Sequence, residues 1–132
     1  MDREVMDPIG GYPVRHYDVP VKRYCQILDL KDNPELIAEY RKRHSKACHW
    51  PEIREGIRQI GILEMEIYII GNRLVMIVET PMDFEWKTAM QRLATLPRQA
   101  EWEEYVSCMQ KCNPGDKSVE KWKLMERMFF LY

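Results

Sequence analysis

The sequence predicts an α+β fold built on an antiparallel sheet, and three observations support this prediction. Apolar and polar residues alternate in KRYCQILDL (22–30), ILEMEIYII (62–70) and RLVMIVET (73–80), as they do in strands. The last two stretches flank Gly71-Asn72, a pair that favours a tight β-hairpin turn. Segments with helical spacing, each interrupted by a proline, separate the strands along the chain.

The first strand leads into a helix whose start is well marked. Asn33 is suited to the N-cap, Pro34 to the first helical position and Glu35 to the first turn. Residues suited to an inward face then recur every three or four positions: Leu36, Ile37, Tyr40, His44 and Ala47 or Cys48. A second helix, PEIREGIRQI (51–60), opens with its own proline, and Gly61 is expected to end it.

Helical patterns return after the hairpin. DFEWKTAMQRLATL (83–96) is predicted as a helix with Asp83 as its cap, and PRQAEWEEYVSCMQKC (97–112) as another. ERMFFLY (126–132) has the composition of a terminal strand. The resulting β-α-β-β-α-β order is that of ferredoxin-like folds, in which the helices pack on one face of the sheet.

The other face of the sheet needs a cover, and in so short a chain we expect a second copy to supply it. The sequence therefore predicts a homodimer arranged as a dimeric α/β barrel. Residues 21–132 are expected to form the single domain, which is long enough to bury one core. Residues 1–20 show no stable period and are expected to be an extended or mobile N-terminal arm.

Composition excludes several classes of partner. The 132 residues are 45% hydrophobic and 31% charged, with 20 basic side chains against 21 acidic ones. Nucleic acid or an anionic membrane would require a basic excess, so neither is expected as a partner. No secretory signal or 18-residue apolar segment is found, which predicts a cytoplasmic protein. The four cysteines form no CxxC pair and are expected to be free thiols.

Tyr40 and His44 are the first candidates for chemistry. They lie four residues apart on one helix face, so the phenol and the imidazole can reach into one cavity. Histidine is suited to moving protons near neutral pH. The alternative is a histidine bonded to the backbone beside a core tyrosine, and the pair taken alone favours that structural interpretation.

Other aromatic and acidic residues could contact a polar ligand. Trp50 has a plane that packs well on the apolar face of a sugar, although it is also suited to a core. Trp102, on a later helix, is suited to a core. Glu64, Glu66 and Tyr68 share one strand face, which predicts either a polar pocket or a solvent-exposed surface.

Few sequence features indicate a metal site or a cofactor site. Cys108 and Cys112 lie one helical turn apart, but with Cys48 or a histidine they match no usual zinc spacing. Gly-rich phosphate loops, a GxSxG elbow and a Cys-His protease signature are not found in the sequence. We therefore expect no metal and no cofactor.

Several of these stretches together resemble the L-rhamnose mutarotase family, which includes relatives associated with L-fucose. They are KRYCQILDL, AEYRKRH, WPEI, GILEMEIYIIGNRLVMIVET, CNPGDKS and LMERMFFL, and they span residues 22 to 132. The most specific piece is EYxxRH followed by WPE. The resemblance implies a metal-independent dimeric α+β barrel that interconverts the α and β anomers of 6-deoxy-L-hexoses.

The resemblance also implies roles for particular residues. The histidine of EYxxRH is the family's catalytic proton donor and its tyrosine contacts the sugar, so these roles would fall on His44 and Tyr40. The rhamnose enzymes use a second-strand tyrosine and a Trp-Trp pair, where this chain has Met65 and Trp102-Glu103. These departures favour L-fucose, because the two sugars differ in the orientation of their 2- and 4-hydroxyls.

Anomer exchange needs an acid at the ring oxygen and a base at the anomeric hydroxyl. We expect His44 to be the acid on ring opening and the base on closing, with Tyr40 orienting the sugar or relaying a proton. Trp102 and Trp50 would pack on the sugar, and Glu64, Glu66 and Tyr68 would contact its hydroxyls. The alternatives are a non-catalytic module that binds a small ligand and a cofactor-free oxygenase on the same barrel.

Overall fold

A computed structural model describes residues 7–132 and has an α+β architecture, as the sequence predicts. Its sheet contains four antiparallel strands in the spatial order β2-β3-β1-β4. The strands are β1 (Val21–Asp29), β2 (Glu64–Ile70), β3 (Arg73–Pro81) and β4 (Lys123–Leu124). This order joins the two halves of the chain through the central pair β1 and β3.

Five helices are described between the strands. They are α1 (Pro34–Arg43), α2 (Pro51–Gln59), α3 (Trp86–Leu93), α4 (Gln99–Ser107) and α5 (Ser118–Lys121). The predicted cap of α1 is confirmed, because the Asn33 side chain accepts hydrogen bonds from the backbone N–H groups of Glu35 and Leu36. The predicted hairpin is also confirmed: Ile70 pairs with Arg73 across Gly71-Asn72, and Gly71 has a φ of 58°.

The helices cover one face of the sheet and the core lies between the two layers. Strand alternation places Leu28, Leu74 and Val78 on this inner face, where each is buried. Met109 and Trp122, from the segments after α4 and α5, close the core at the helix side. The opposite face carries side chains that are exposed or only half-buried, among them Arg23, Ile27, Val75 and Ile77.

Predicted element boundaries were wrong at several places, of which three bear on the site and the sheet. Helix α1 ends at Arg43 with His44 as its C-cap, so Ala47 and Cys48 do not continue its inward face. Helix α3 begins at Trp86 rather than at an Asp83 cap. The reason is that Phe84 is buried in the core and its N–H bonds to Pro81 in a turn, which delays the helix.

The third correction concerns the terminal strand. The predicted strand at 126–132 is not formed, and β4 lies earlier, at Lys123–Leu124. The N–H of Met125 donates to the Cys25 carbonyl of β1 at 2.8 Å, and Phe129, Phe130 and Leu131 beyond it are exposed. These apolar side chains have the composition of a strand. Within residues 7–132, however, no strand pairs with them.

The predicted N-terminal arm is described only in part, since residues 1–6 lie outside the described residues. Residues 7–20 contain one 3-10 turn at Pro8–Gly10 and are mostly exposed. Two hydrogen bonds and a ring contact attach this segment to the sheet: Arg15 donates to the Leu63 carbonyl at 2.6 Å, and the Tyr17 hydroxyl donates to Glu79 at 3.2 Å. The Tyr12 ring meets the Tyr68 ring edge to face at 5.8 Å.

Candidate active site

A cavity of about 600 Å³ lies between the inner face of the sheet and the helices. Its sheet side includes Gln26, Met65, Ile67 and Met76, and its helix side includes Tyr40, His44, Trp50, Trp102 and Gln110. The volume is within the range of roughly 300–1,000 Å³ that is usual for small-ligand pockets. The mixture of an apolar floor with a few polar groups is suited to a small polar molecule.

His44 stands at the C-cap of α1, half-buried against the cavity. Its Nδ1 lies 2.7 Å from the Tyr40 backbone carbonyl, which can only accept a hydrogen bond. In the neutral ring Nδ1 therefore carries the proton, and Nε2 keeps a lone pair. The Arg54 guanidinium donates to the His44 carbonyl at 2.8 Å and fixes the backbone at this cap.

The charge state of His44 follows from its surroundings. Burial lowers the pKa of His44 below its ordinary value, and the positive charge of Arg54 lowers it further, against the opposing effect of the hydrogen bond to the Tyr40 carbonyl. The imidazole is consequently neutral at neutral pH. Neutral, with Nε2 unprotonated, it is ready to accept a proton.

Tyr40 lies one turn before His44, and the two rings are 4.3 Å apart between centroids. Its side chain is buried, with 4% of its surface exposed, and its hydroxyl accepts a hydrogen bond from Gln110 Nε2 at 3.3 Å. Burial raises the pKa of Tyr40 to about 12, although the Gln110 contact acts in the opposite direction. The phenol therefore keeps its proton unless a stronger base takes it.

Aromatic rings hold His44 in place on its other side. The Trp102 ring meets the imidazole edge to face at 5.3 Å, and Trp50 meets Trp102 at 5.1 Å. The Trp50 ring also stacks with Tyr105 and carries the Arg98 guanidinium 4.1 Å from its centroid. Trp102 is thus the tryptophan in contact with His44, while Trp50 packs on Tyr105 and Arg98 and also lines the cavity.

A polar cluster joins α1 to α4 beside this wall. The Glu39 carboxylate accepts hydrogen bonds from Arg43 Nε at 2.7 Å and from the Tyr105 hydroxyl. The two hydrogen bonds, with the larger effect from Tyr105, lower the pKa of Glu39. The cluster fixes the helix that carries Tyr40 and His44 relative to the helix that carries Trp102.

The three β2 residues expected to contact substrate are separated by the structure. Glu64 lines the cavity at its edge, but the lining does not include Glu66 or Tyr68. Successive strand residues alternate between faces, so Met65 and Ile67 point to the cavity while Glu66 and Tyr68 lie on the opposite face. There the Tyr68 hydroxyl donates to Glu66 at 3.2 Å. Glu64 has the parity of Glu66 and Tyr68, and it reaches the edge of the cavity from the first position of β2.

Several cavity residues were not among the predicted site residues. Gln26 is a polar side chain on the inward face of β1, and this pattern was a usable signal in the sequence. Gln110 lies just after α4, and Lys121 is the last residue of α5. No sequence spacing connects either residue to Tyr40. Only the tertiary fold brings them to the cavity.

Residues 7–132 lack the features of a metal site and of a membrane span. No group of three or more His, Cys, Asp or Glu side chains in this range could hold a metal ion. The same range contains no helix that is both long and apolar enough to span a membrane. The four cysteines are free thiols.

Comparisons with known proteins give matches over most of the chain. A family model described as L-rhamnose mutarotase matches residues 23–131. An L-fucose mutarotase of Xanthomonas campestris pv. campestris is 38% identical over 111 residues, covering 84% of this chain and 89% of that protein. A UPF0734 protein of Dictyostelium discoideum is 35% identical over 114 residues, covering 83% and 90% respectively.

A solved structure gives the same fold. The crystal structure of an L-rhamnose mutarotase from Formosa agariphila superimposes with a TM-score of 0.63 at 20% identity. The match covers 84% of this chain and 99% of that one.

Proposed function

The chain belongs to the L-rhamnose mutarotase family and is an isomerase, and we propose that it interconverts the α and β anomers of a 6-deoxy-L-hexose, L-fucose in preference to L-rhamnose. The observation that carries the proposal is the pairing of Tyr40 with His44 at one cavity, with the rings 4.3 Å apart. An acid and a base so close together can serve two oxygens bonded to one carbon.

Ring opening begins at the anomeric hydroxyl. His44 Nε2 takes the hydroxyl proton, the C1–O5 bond breaks, and its electron pair goes to the ring oxygen. Tyr40 gives its phenol proton to that oxygen, which as an alkoxide is a stronger base than the phenolate. The freed aldehyde rotates, and ring closure on its other face returns both protons.

This order reverses the roles expected from the sequence. An acid role for His44 on opening would need the protonated imidazole, and the lowered pKa of His44 disfavours that form. The hydrogen bond from Nδ1 to the Tyr40 carbonyl supports a base role, because it leaves Nε2 as the acceptor. Tyr40 is then the acid on opening and the base on closing.

The preference for L-fucose is supported by one residue and one relative. Met65 lines the cavity where the resemblance places a tyrosine in the rhamnose enzymes, so one hydroxyl contact is replaced by an apolar surface. The L-fucose mutarotase of Xanthomonas campestris pv. campestris is 38% identical. Trp102, Trp50 and Glu64 are proposed to contact the sugar from the cavity wall; Glu66 and Tyr68 are not included, since they lie on the other sheet face.

A homodimer is part of the proposal. The outer sheet face carries half-buried apolar residues, Ile27, Val75 and Ile77, and the exposed segment 128–132 is largely apolar. Exposed apolar surface of this kind favours association. We also propose a cytoplasmic location and catalysis without a metal.

The proposal is tested by adding the protein to freshly dissolved α-L-fucose and α-L-rhamnose. Polarimetry should show a faster approach to anomeric equilibrium with both sugars and a higher kcat/KM for L-fucose. A protein that only binds its ligand would leave the rate at the uncatalysed value. Equal or higher kcat/KM for L-rhamnose would contradict the preference for L-fucose but would leave the proposed mutarotase activity standing.

A further inference from the structure

Gln110 is a buried amide beside the proposed acid. Its side chain is 2% exposed, and its backbone is fixed by a hydrogen bond to Val106 at 3.1 Å and by a bridge to Leu30. It lies among the residues that line the cavity. The side chain, which follows α4, is therefore held in a fixed position in contact with the Tyr40 hydroxyl.

The two ends of this amide differ in their contacts. Nε2 donates to the Tyr40 hydroxyl at 3.3 Å, whereas the buried Oε1 has no hydrogen-bond partner within residues 7–132. Buried polar atoms are nearly always paired, so an unpaired one calls for an explanation. A methionine of similar length would fill the space without leaving an unpaired oxygen, so packing alone does not account for an amide at this position.

We propose that Gln110 is a positioning residue for the proton transfer at Tyr40, because its amide N–H occupies one side of the phenol oxygen and directs the phenol proton into the cavity. This inference rests on the proposed function and extends it. The phenol oxygen accepts from Gln110 and so donates elsewhere, and the cavity is where the ring oxygen of the sugar would be.

The contact strengthens as the reaction proceeds. When the C1–O5 bond breaks and Tyr40 gives its proton to the ring oxygen, negative charge develops on the phenol oxygen. The hydrogen bond from Gln110 then becomes charge-assisted and stronger than in the ground state. An interaction that strengthens only in the transition state raises kcat rather than lowering KM.

Gln110→Met removes the donor and keeps the length of the side chain. We expect kcat for anomer exchange to fall roughly tenfold while KM stays within about threefold of the wild-type value. Gln91→Met, at an exposed position on α3 that does not line the cavity, is the matched control and should leave kcat unchanged. A structural role alone would leave kcat of a folded Gln110→Met at the wild-type value, and that result would overturn the inference.

Gln110→Glu supplies an independent measurement. A protonated carboxyl can donate to the phenol oxygen, whereas a carboxylate can only accept and would attract the phenol proton away from the sugar. The ratio of variant to wild-type kcat should therefore fall as pH rises through the ionisation of the new carboxyl. A ratio independent of pH would contradict the inference, as would loss of the circular dichroism signal of the folded protein in both variants, since the amide would then be structural.

The failure of this inference is distinguishable from failure of the proposed function. If the wild-type protein accelerates anomer exchange but Gln110→Met does so equally well, only the role of Gln110 is lost. If the wild-type protein accelerates no sugar, the proposed function itself is wrong and the assignment of Gln110 is overturned with it.

Discussion

At the scale of residues, the spacing of Tyr40 and His44 predicted their shared cavity, but their protonation came from the fold. The sequence could not show that Nδ1 faces the Tyr40 carbonyl, because this contact depends on α1 ending at Arg43. Nor could it show which face of β2 reaches the cavity: Glu66 and Tyr68 have suitable chemistry and point away from it.

The pH dependence of the reaction follows from the lowered pKa of His44. A base must be unprotonated, so kcat/KM should be flat around neutral pH and decline only on acidification through a pKa that lies below the ordinary value of about 6.5. Saturation-transfer NMR between about pH 5 and 8 measures this profile after subtraction of the uncatalysed rate. A midpoint at or above 6.5 would show that His44 does not act as the buried neutral base.

At the scale of elements, the boundaries that depend on local chemistry were predicted, and the boundaries that depend on tertiary packing were not. The cap at Asn33 and the turn at Gly71-Asn72 depend on neighbouring residues only. The start of α3 depends on burial of Phe84, and the length of β4 depends on which segments lie beside β1. Neither dependence can be read from the neighbouring residues in the sequence.

The cap of α1 offers a test at this scale. Asn33→Ala removes the acceptor for two backbone N–H groups and should lower the free energy of unfolding by about 1 kcal/mol. Asn33→Ser keeps an oxygen at the cap and should stay close to the wild-type value. Urea unfolding measures both, and equal stability of the alanine and serine variants would show that the cap does not stabilise the fold.

At the scale of the whole molecule, the order of elements predicted the four-stranded sheet, whereas the barrel requires a second chain. Within residues 7–132, the outer sheet face carries half-buried apolar side chains, and segment 128–132 is largely apolar and exposed. These two features are the physical reason to expect a dimer.

The dimer is tested by placing a charge at the centre of the outer face. Ile77 lies there between Cys25 and Glu66 of the neighbouring strands. Light scattering should give twice the mass of one chain for the wild type and a monomer for Ile77→Arg, because a large guanidinium in place of an apolar side chain would have to be desolvated at the interface. Met82→Arg, at an exposed turn, should remain dimeric; a monomeric wild type would contradict the proposal.

The most direct test of the account is anomer exchange by His44→Asn, measured by saturation-transfer NMR on L-fucose. Asparagine can keep a hydrogen bond to the Tyr40 carbonyl but cannot take up the proton of the anomeric hydroxyl. We expect a loss of about 100-fold or more in kcat, with the circular dichroism spectrum unchanged. Full activity in a folded His44→Asn variant would remove His44 from the mechanism and contradict the central claim.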